Sequence, residues 1–112
     1  MAYVKCNKSM IKEGTVSGYS AGNDTYVSCG FKPKKIFLYG MDSANVLFSL
    51  SYDEDMSSTY QIYGYKTSSS SSGANRATIS GNTTRGCLNA ITSSGFYFNF
   101  GSLSTYRYVA IG

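Results

Sequence analysis

The stretch Gly95 to Gly112, GFYFNFGSLSTYRYVAIG, limits what this chain can fold into more than any other. Phe96, Phe98 and Phe100 recur at every second residue, the spacing at which side chains share one face of a β-strand. After Gly101 to Thr105 a second run, Tyr106 to Ile111, is again dense in aromatic and β-branched residues. Two such runs joined by a short Gly/Ser-containing connection predict an antiparallel hairpin. The segment from Gly95 to Phe100 includes four aromatics, which makes it a buried strand and the hydrophobic spine of the fold.

No window of a dozen residues sustains a helical period, and composition agrees. Eleven Tyr, 6 Phe and 12 Gly with a single Pro favour pleated surfaces and tight turns. At 112 residues the chain is expected to form one domain, residues 1–112, with 1–13 as an N-terminal arm or short first strand (Tyr3 to Asn7). Further strands are expected at Gly14 to Ala21, Thr25 to Phe31, Lys35 to Met41, Val46 to Tyr52, Thr59 to Lys66, Arg76 to Ser80 and Cys87 to Thr92. Thr67 to Gly73, TSSSSSG, reads as a mobile hairpin tip. Roughly eight to ten short strands with frequent turn signals predict an all-β fold, an antiparallel β-sandwich or small barrel.

Two of these strands are apolar on both faces: Ile36-Phe37-Leu38-Tyr39 and Phe96-Tyr97-Phe98. A lone small sandwich keeps its outer faces polar, so a second apolar surface is needed to cover them. The simplest source is an identical chain, which predicts a homo-oligomer with Phe37, Tyr39, Tyr97 and Phe98 at its interface. Loops or the N-terminal arm are the alternative cover.

The chemistry of the side chains argues against catalysis. There is no His to serve a triad or as the usual general base, so Cys6, Cys29 and Cys87 lack an activating imidazole. An odd, widely spaced set of three cysteines without a secretion signal predicts reduced thiols rather than a disulfide framework. The six carboxylates all fall in expected turns or loops, and Asp53-Glu54-Asp55 lacks the ligand spacing and pivotal Gly of a calcium loop. With no phosphate-cradling loop either, no enzyme activity, metal or cofactor is expected.

A net charge of +4 permits anionic partners without requiring one, and Lys32, Lys34 and Lys35 suit a solvated strand entrance. No apolar run approaches the roughly 20 residues that span a bilayer, so no membrane insertion is expected. The N-terminal MAYVKCNKSM lacks a secretion core, from which we expect a protein made in the cytoplasm that stays there or leaves by lysis. Binding is the function class that remains. Tyr63 and Tyr65 alternate against Ile62, with Arg76 and Arg85 in nearby polar stretches, and these four are the candidate ligand contacts. The same tyrosines equally suit an oligomer seam. A single-stranded nucleic-acid surface is disfavoured, because aromatics and basic residues do not interleave on one strand.

Two patches, CGFKPKKIFLYG (Cys29 to Gly40) and ITSSGFYFNF with YRYVAIG (within Ile91 to Gly112), resemble small domains of bacteriophage and prophage tail-fibre and receptor-binding proteins. The closing pattern, a turn into Gly-Phe, an aromatic strand and Tyr-x-Tyr-Val-Ala-Ile-Gly, also resembles the final hairpin of H-type lectins. Such lectins are trimeric antiparallel β-sandwiches that bind sugars. The resemblance, which covers about a third of the chain, implies a virion-borne, non-enzymatic homotrimer in the tail or fibre, contacting other tail proteins and a bacterial cell-surface glycan or receptor. A purely structural trimerisation or decoration role is the alternative. It carries over no sugar-contacting residue.

Overall fold

The computed structural model describes residues 10–16, 24–41, 47–66, 73, 75–79, 86–100 and 105–112. The expected strand at Tyr3 to Asn7, the hairpin tip at Thr67 to Ser72, Cys6 and Arg85 lie outside the described residues. The described residues form nine strands: β1 (Ile11–Val16), β2 (Asp24–Ser28), β3 (Lys35–Met41), β4 (Leu47–Asp53), β5 (Tyr60–Lys66), β6 (Asn75–Thr78), β7 (Gly86–Ile91), β8 (Gly95–Phe100) and β9 (Tyr106–Ile111). The first strand begins earlier than expected, so Ile11 to Glu13 belong to the sheet rather than to an arm.

All pairings are antiparallel, in two sheets. The larger has six strands in the order β1-β9-β3-β4-β5-β6; the smaller has three, β2-β8-β7. They pack face to face as a β-sandwich, and no described residue is helical. The core takes alternate residues from both inner faces: Ile36, Leu38, Phe48, Leu50, Tyr106 and Tyr108 from the large sheet, Val27, Leu88, Phe96 and Phe98 from the small one.

The closing hairpin does not form. β8 pairs with β2 and β7, whereas β9 pairs with β1 and β3. The two aromatic strands lie on opposite sides of the core and meet through their rings, Phe98 on Tyr106 at 4.6 Å and Phe96 on Tyr108 at 5.8 Å, both edge to face. Edge-to-face aromatic contacts contribute about 0.5–1.5 kcal/mol beyond area burial. Facing each other across the core lets both aromatic rows leave water; pairing edge to edge would place them side by side in one sheet.

Where the chain turns between β2 and β3, Gly30 adopts φ 81°, a left-handed conformation that costs glycine little. Its N–H and that of Cys29 both donate to the Ser94 carbonyl, tying this turn to the β7–β8 turn. Gly95 is required for a different reason. A Cβ there would lie 2.0 Å from the Val27 carbonyl oxygen, so only a bare backbone can approach β2 this closely.

One buried side chain links the sheets through polar bonds. Gln61 on β5 is fully buried; its amide nitrogen donates to the carbonyls of Leu88 (3.0 Å) and Thr78 (2.8 Å), and its oxygen accepts from Leu88 N–H (2.8 Å). Leu88 sits beside a register shift in β7, an edge strand of the small sheet, and both its backbone groups bond to Gln61. Gln61 satisfies both of them.

Burial pushes the phenols of Tyr52 and Tyr108 above their ordinary value of 10.0; the Glu54 and Asp53 carboxylates add to the first, Cys29 to the second. A group whose folded pKa is raised stabilises the fold fully below its unfolded pKa and ceases to do so as pH rises through the folded value. Stability is therefore expected to hold steady from about pH 7 to 8, to begin to fall near pH 9 as the unfolded Cys29 thiol ionises, and to fall further above about pH 10, where unfolded tyrosines ionise. Chemical denaturation at stepped pH, read beside tyrosinate absorbance, checks this. A midpoint flat to pH 11 or so would contradict it.

Candidate functional site

Strand alternation sends each anticipated residue whose side chain is described to a definite side, and these do not gather as the sequence suggested. Phe37 and Tyr39 project from the outer face of the large sheet, 39% and 48% exposed. Tyr97 is exposed on the outer face of the small sheet, across the sandwich from them. Phe98 is fully buried, which corrects its placement at an interface: it shares an inward face with Phe96 and closes the core against Tyr106.

Of the ligand candidates, Tyr63 and Arg76 fall on opposite sides of the sheet. Tyr63 and Ile62 do take opposite faces, but it is Ile62 that meets solvent. Tyr63 lies on the core side, stacked on Phe48 with ring centroids 6.5 Å apart, because it shares a face with buried Gln61 and pairs with core Leu50. The side chain of Tyr65 and all of Arg85 lie outside the described residues. Arg76 is on the solvent side of β6, its guanidinium 4.2 Å above the Tyr60 ring, a cation–π contact.

The acidic turn is engaged locally. Asp53 faces Lys35 at 3.9 Å and Glu54 faces Lys32 at 4.0 Å, while the Asp53 carboxylate also accepts from Asp55 N–H. Among the described residues no group of three or more Cys, Asp or Glu is gathered for a metal. The half-buried Cys29 thiol is pushed above its ordinary 9.0 by burial, against a smaller opposing pull from Lys12, which leaves it a protonated, weakly nucleophilic group at neutral pH.

A constellation that spacing did not single out lies on the outer face of the small sheet. Cross-strand register places Tyr26 of β2 directly opposite Tyr97 of β8. Their rings, each 39% exposed, form a tilted pair with centroids 4.9 Å apart. The Tyr26 hydroxyl is held by Ser94 Oγ, with Thr92 Oγ1 at 3.5 Å, so the ring is fixed at the β7–β8 turn. Two residues along, and so on the same face, Asp24 lies opposite Asn99. Asn89 reaches across β8 and donates from Nδ2 to Asp24 Oδ2 at 2.6 Å.

The β7 irregularity explains that reach. Between Leu88 and Ala90 the register slips, which leaves Asn89 without a directly opposed residue. A polar side chain released at a bulge can lean over the neighbouring strand. The result is a shallow platform: two aromatic rings, an anchored carboxylate and amide, and hydroxyls at one end. No basic residue occurs in β2, β7 or β8, and Asp24 is their only acid. In sequence, Tyr97 was singled out only for an oligomer interface and Tyr26 not at all, and it is the register that brings them together.

Comparison with known proteins finds no family model, no curated protein and no solved structure that matches the chain.

Proposed function

We propose that the chain is a non-enzymatic carbohydrate-binding module, with the Tyr26–Tyr97 face of the small sheet as its sugar platform. The observation that carries this reading is the paired rings beside the Asp24–Asn89 hydrogen bond. A pyranose presents an apolar C–H face and a rim of hydroxyls. Rigid tyrosines cover the first at low entropic cost, and a carboxylate–amide pair can both accept from and donate to the second. Ser94 and Asp24 hold the groups in place before a ligand arrives, which reduces the ordering cost of binding.

The charge of this face favours an uncharged ligand. A nucleic-acid strand needs cations along its path, and β2, β7 and β8 supply none while offering Asp24. Glycoside hydrolysis ordinarily draws on a pair of carboxyl groups, and these strands provide one. Adhesion to a cell-surface polysaccharide, in the setting of a tail or fibre tip, is the function we assign.

The test is a screen of bacterial surface polysaccharides and their component sugars, with hits measured by titration calorimetry. Tyr97→Ala and Asn89→Ala are each expected to weaken binding about tenfold or more, with the circular dichroism spectrum unchanged; tenfold corresponds to about 1.4 kcal/mol. Absence of binding across the screen, or affinity indifferent to both substitutions, would refute the platform.

A further inference from the structure

The outer face of the six-stranded sheet carries an order unrelated to the tyrosine platform. Following the register across β1, β9, β3, β4, β5 and β6 gives one continuous outward row: Glu13, Val109, Phe37, Ser51, Ile62, Arg76. A neighbouring row reads Thr15, Arg107, Tyr39, Ser49, Gly64. On the other side, Lys35 of β3 stands opposite Asp53 of β4. Phe37 and Tyr39 of β3 therefore stand beside the small Ser51 and Ser49 of the adjoining β4 in these two rows. The middle of the sheet is a ridge beside a trough, with opposite charges at the two ends of the Phe37 row.

We propose that two copies of this chain pack face to face through this surface, about a two-fold axis running along the strands between β3 and β4. That operation lays each half of the sheet on the opposite half of the other copy. Phe37 and Tyr39 then enter the trough over Ser51 and Ser49 of the second copy, Val109 meets Ile62, Lys35 meets Asp53, and Glu13 meets Arg76. Size and charge are complementary at every one of these positions.

Charge selects the axis. A two-fold running across the strands would set Glu13 on Glu13, Arg76 on Arg76 and Phe37 on Phe37, which is repulsive at both rims and overfilled at the centre. The inherent twist of each sheet turns the strand directions of aligned sandwiches by roughly 30°, so the fit is tightest near the axis, at Phe37, Tyr39 and Lys35. The exposed ion pairs Arg107–Glu13 (3.8 Å) and Lys35–Asp53 (3.9 Å) are loose within one chain and available to a second. This gives a two-fold dimer, in place of the three-fold assembly that the lectin resemblance implied, and stands whether or not the opposite face binds sugar.

Light scattering behind a sizing column is expected to give a mass near twice the chain's 12.1 kDa. Glu13→Arg and Arg76→Glu, made singly, should each raise the dimer dissociation constant about tenfold or more by setting like charges together. The double variant Glu13→Arg/Arg76→Glu should recover most of the affinity, because the swap restores opposite signs under this axis alone. A monomer, a trimer, or single variants that associate as tightly as the parent would overturn the proposal. So would a double variant no better than either single one.

Discussion

Phe98→Asp is expected to leave no folded protein, whereas Phe37→Asp should fold as the parent does. Both residues belong to strands that are apolar on either face, and hydropathy does not separate them. Phe98 is fully buried against Tyr106 in the core; Phe37 projects from the opposite, outer side of the large sheet. Truncating a buried Phe costs about 3–5 kcal/mol, and an unpaired carboxylate in its place adds several more. Against a total stability of about 5–15 kcal/mol for a domain, that loss is decisive. Compared at concentrations where both proteins are monomeric, an outward substitution usually stays within about ±0.5 kcal/mol of the parent. Near-ultraviolet circular dichroism and urea titration of the two variants read the difference. A folded Phe98→Asp protein would show that the sheet faces are assigned the wrong way round.

Gln61 should give the second largest effect. Gln61→Ala strands the Leu88 N–H and C=O in the interior and also releases the part-buried Thr78 carbonyl. Each buried polar group left unsatisfied costs about 1–3 kcal/mol, so a loss of about 3–5 kcal/mol in urea titration is expected. Gln61→Glu keeps the shape and separates hydrogen bonding from packing. An ionised Glu accepts from Leu88 N–H but sets its other oxygen against two carbonyls. Its folded pKa is therefore raised above the ordinary value of about 4.3, since only the neutral acid can donate there. A raised folded pKa means that the variant is most stable below about pH 4.3 relative to the parent and loses that stability as pH rises. If its deficit against the parent were constant from acid to neutral pH, Gln61 would be a space-filling residue and nothing more.

Gln61 also shows why part of the fold was illegible in the sequence. Tyr60 to Lys66 reads as Tyr, Gln, Ile, Tyr, Gly, Tyr, Lys, and hydropathy turns Ile62 inward. The strand takes the other choice, because Gln61 supplies polar bonds that Leu88 needs across the core, and Tyr63 follows it inward. For β8 the aromatic density was plain and the period correct, yet its partner was mistaken. Nearness along the chain suggested β9, while β2 and β7 provide the edges that it pairs with. The tyrosine platform was illegible for the same reason: Tyr26 and Tyr97 are neighbours only through that pairing.

What the sequence determined by itself was the material of the fold: strands in place of helices, their approximate bounds, an antiparallel all-β architecture, and an alternation that sorts side chains into two faces. These follow from local periodicity and turn chemistry, which act over a few residues. Tertiary structure alone decided which face turned inward, which strands became neighbours, and which exposed residues share a surface. Those choices depend on groups far apart in the chain, since burying one face is favourable only when the opposing sheet supplies both apolar area and partners for every polar group enclosed.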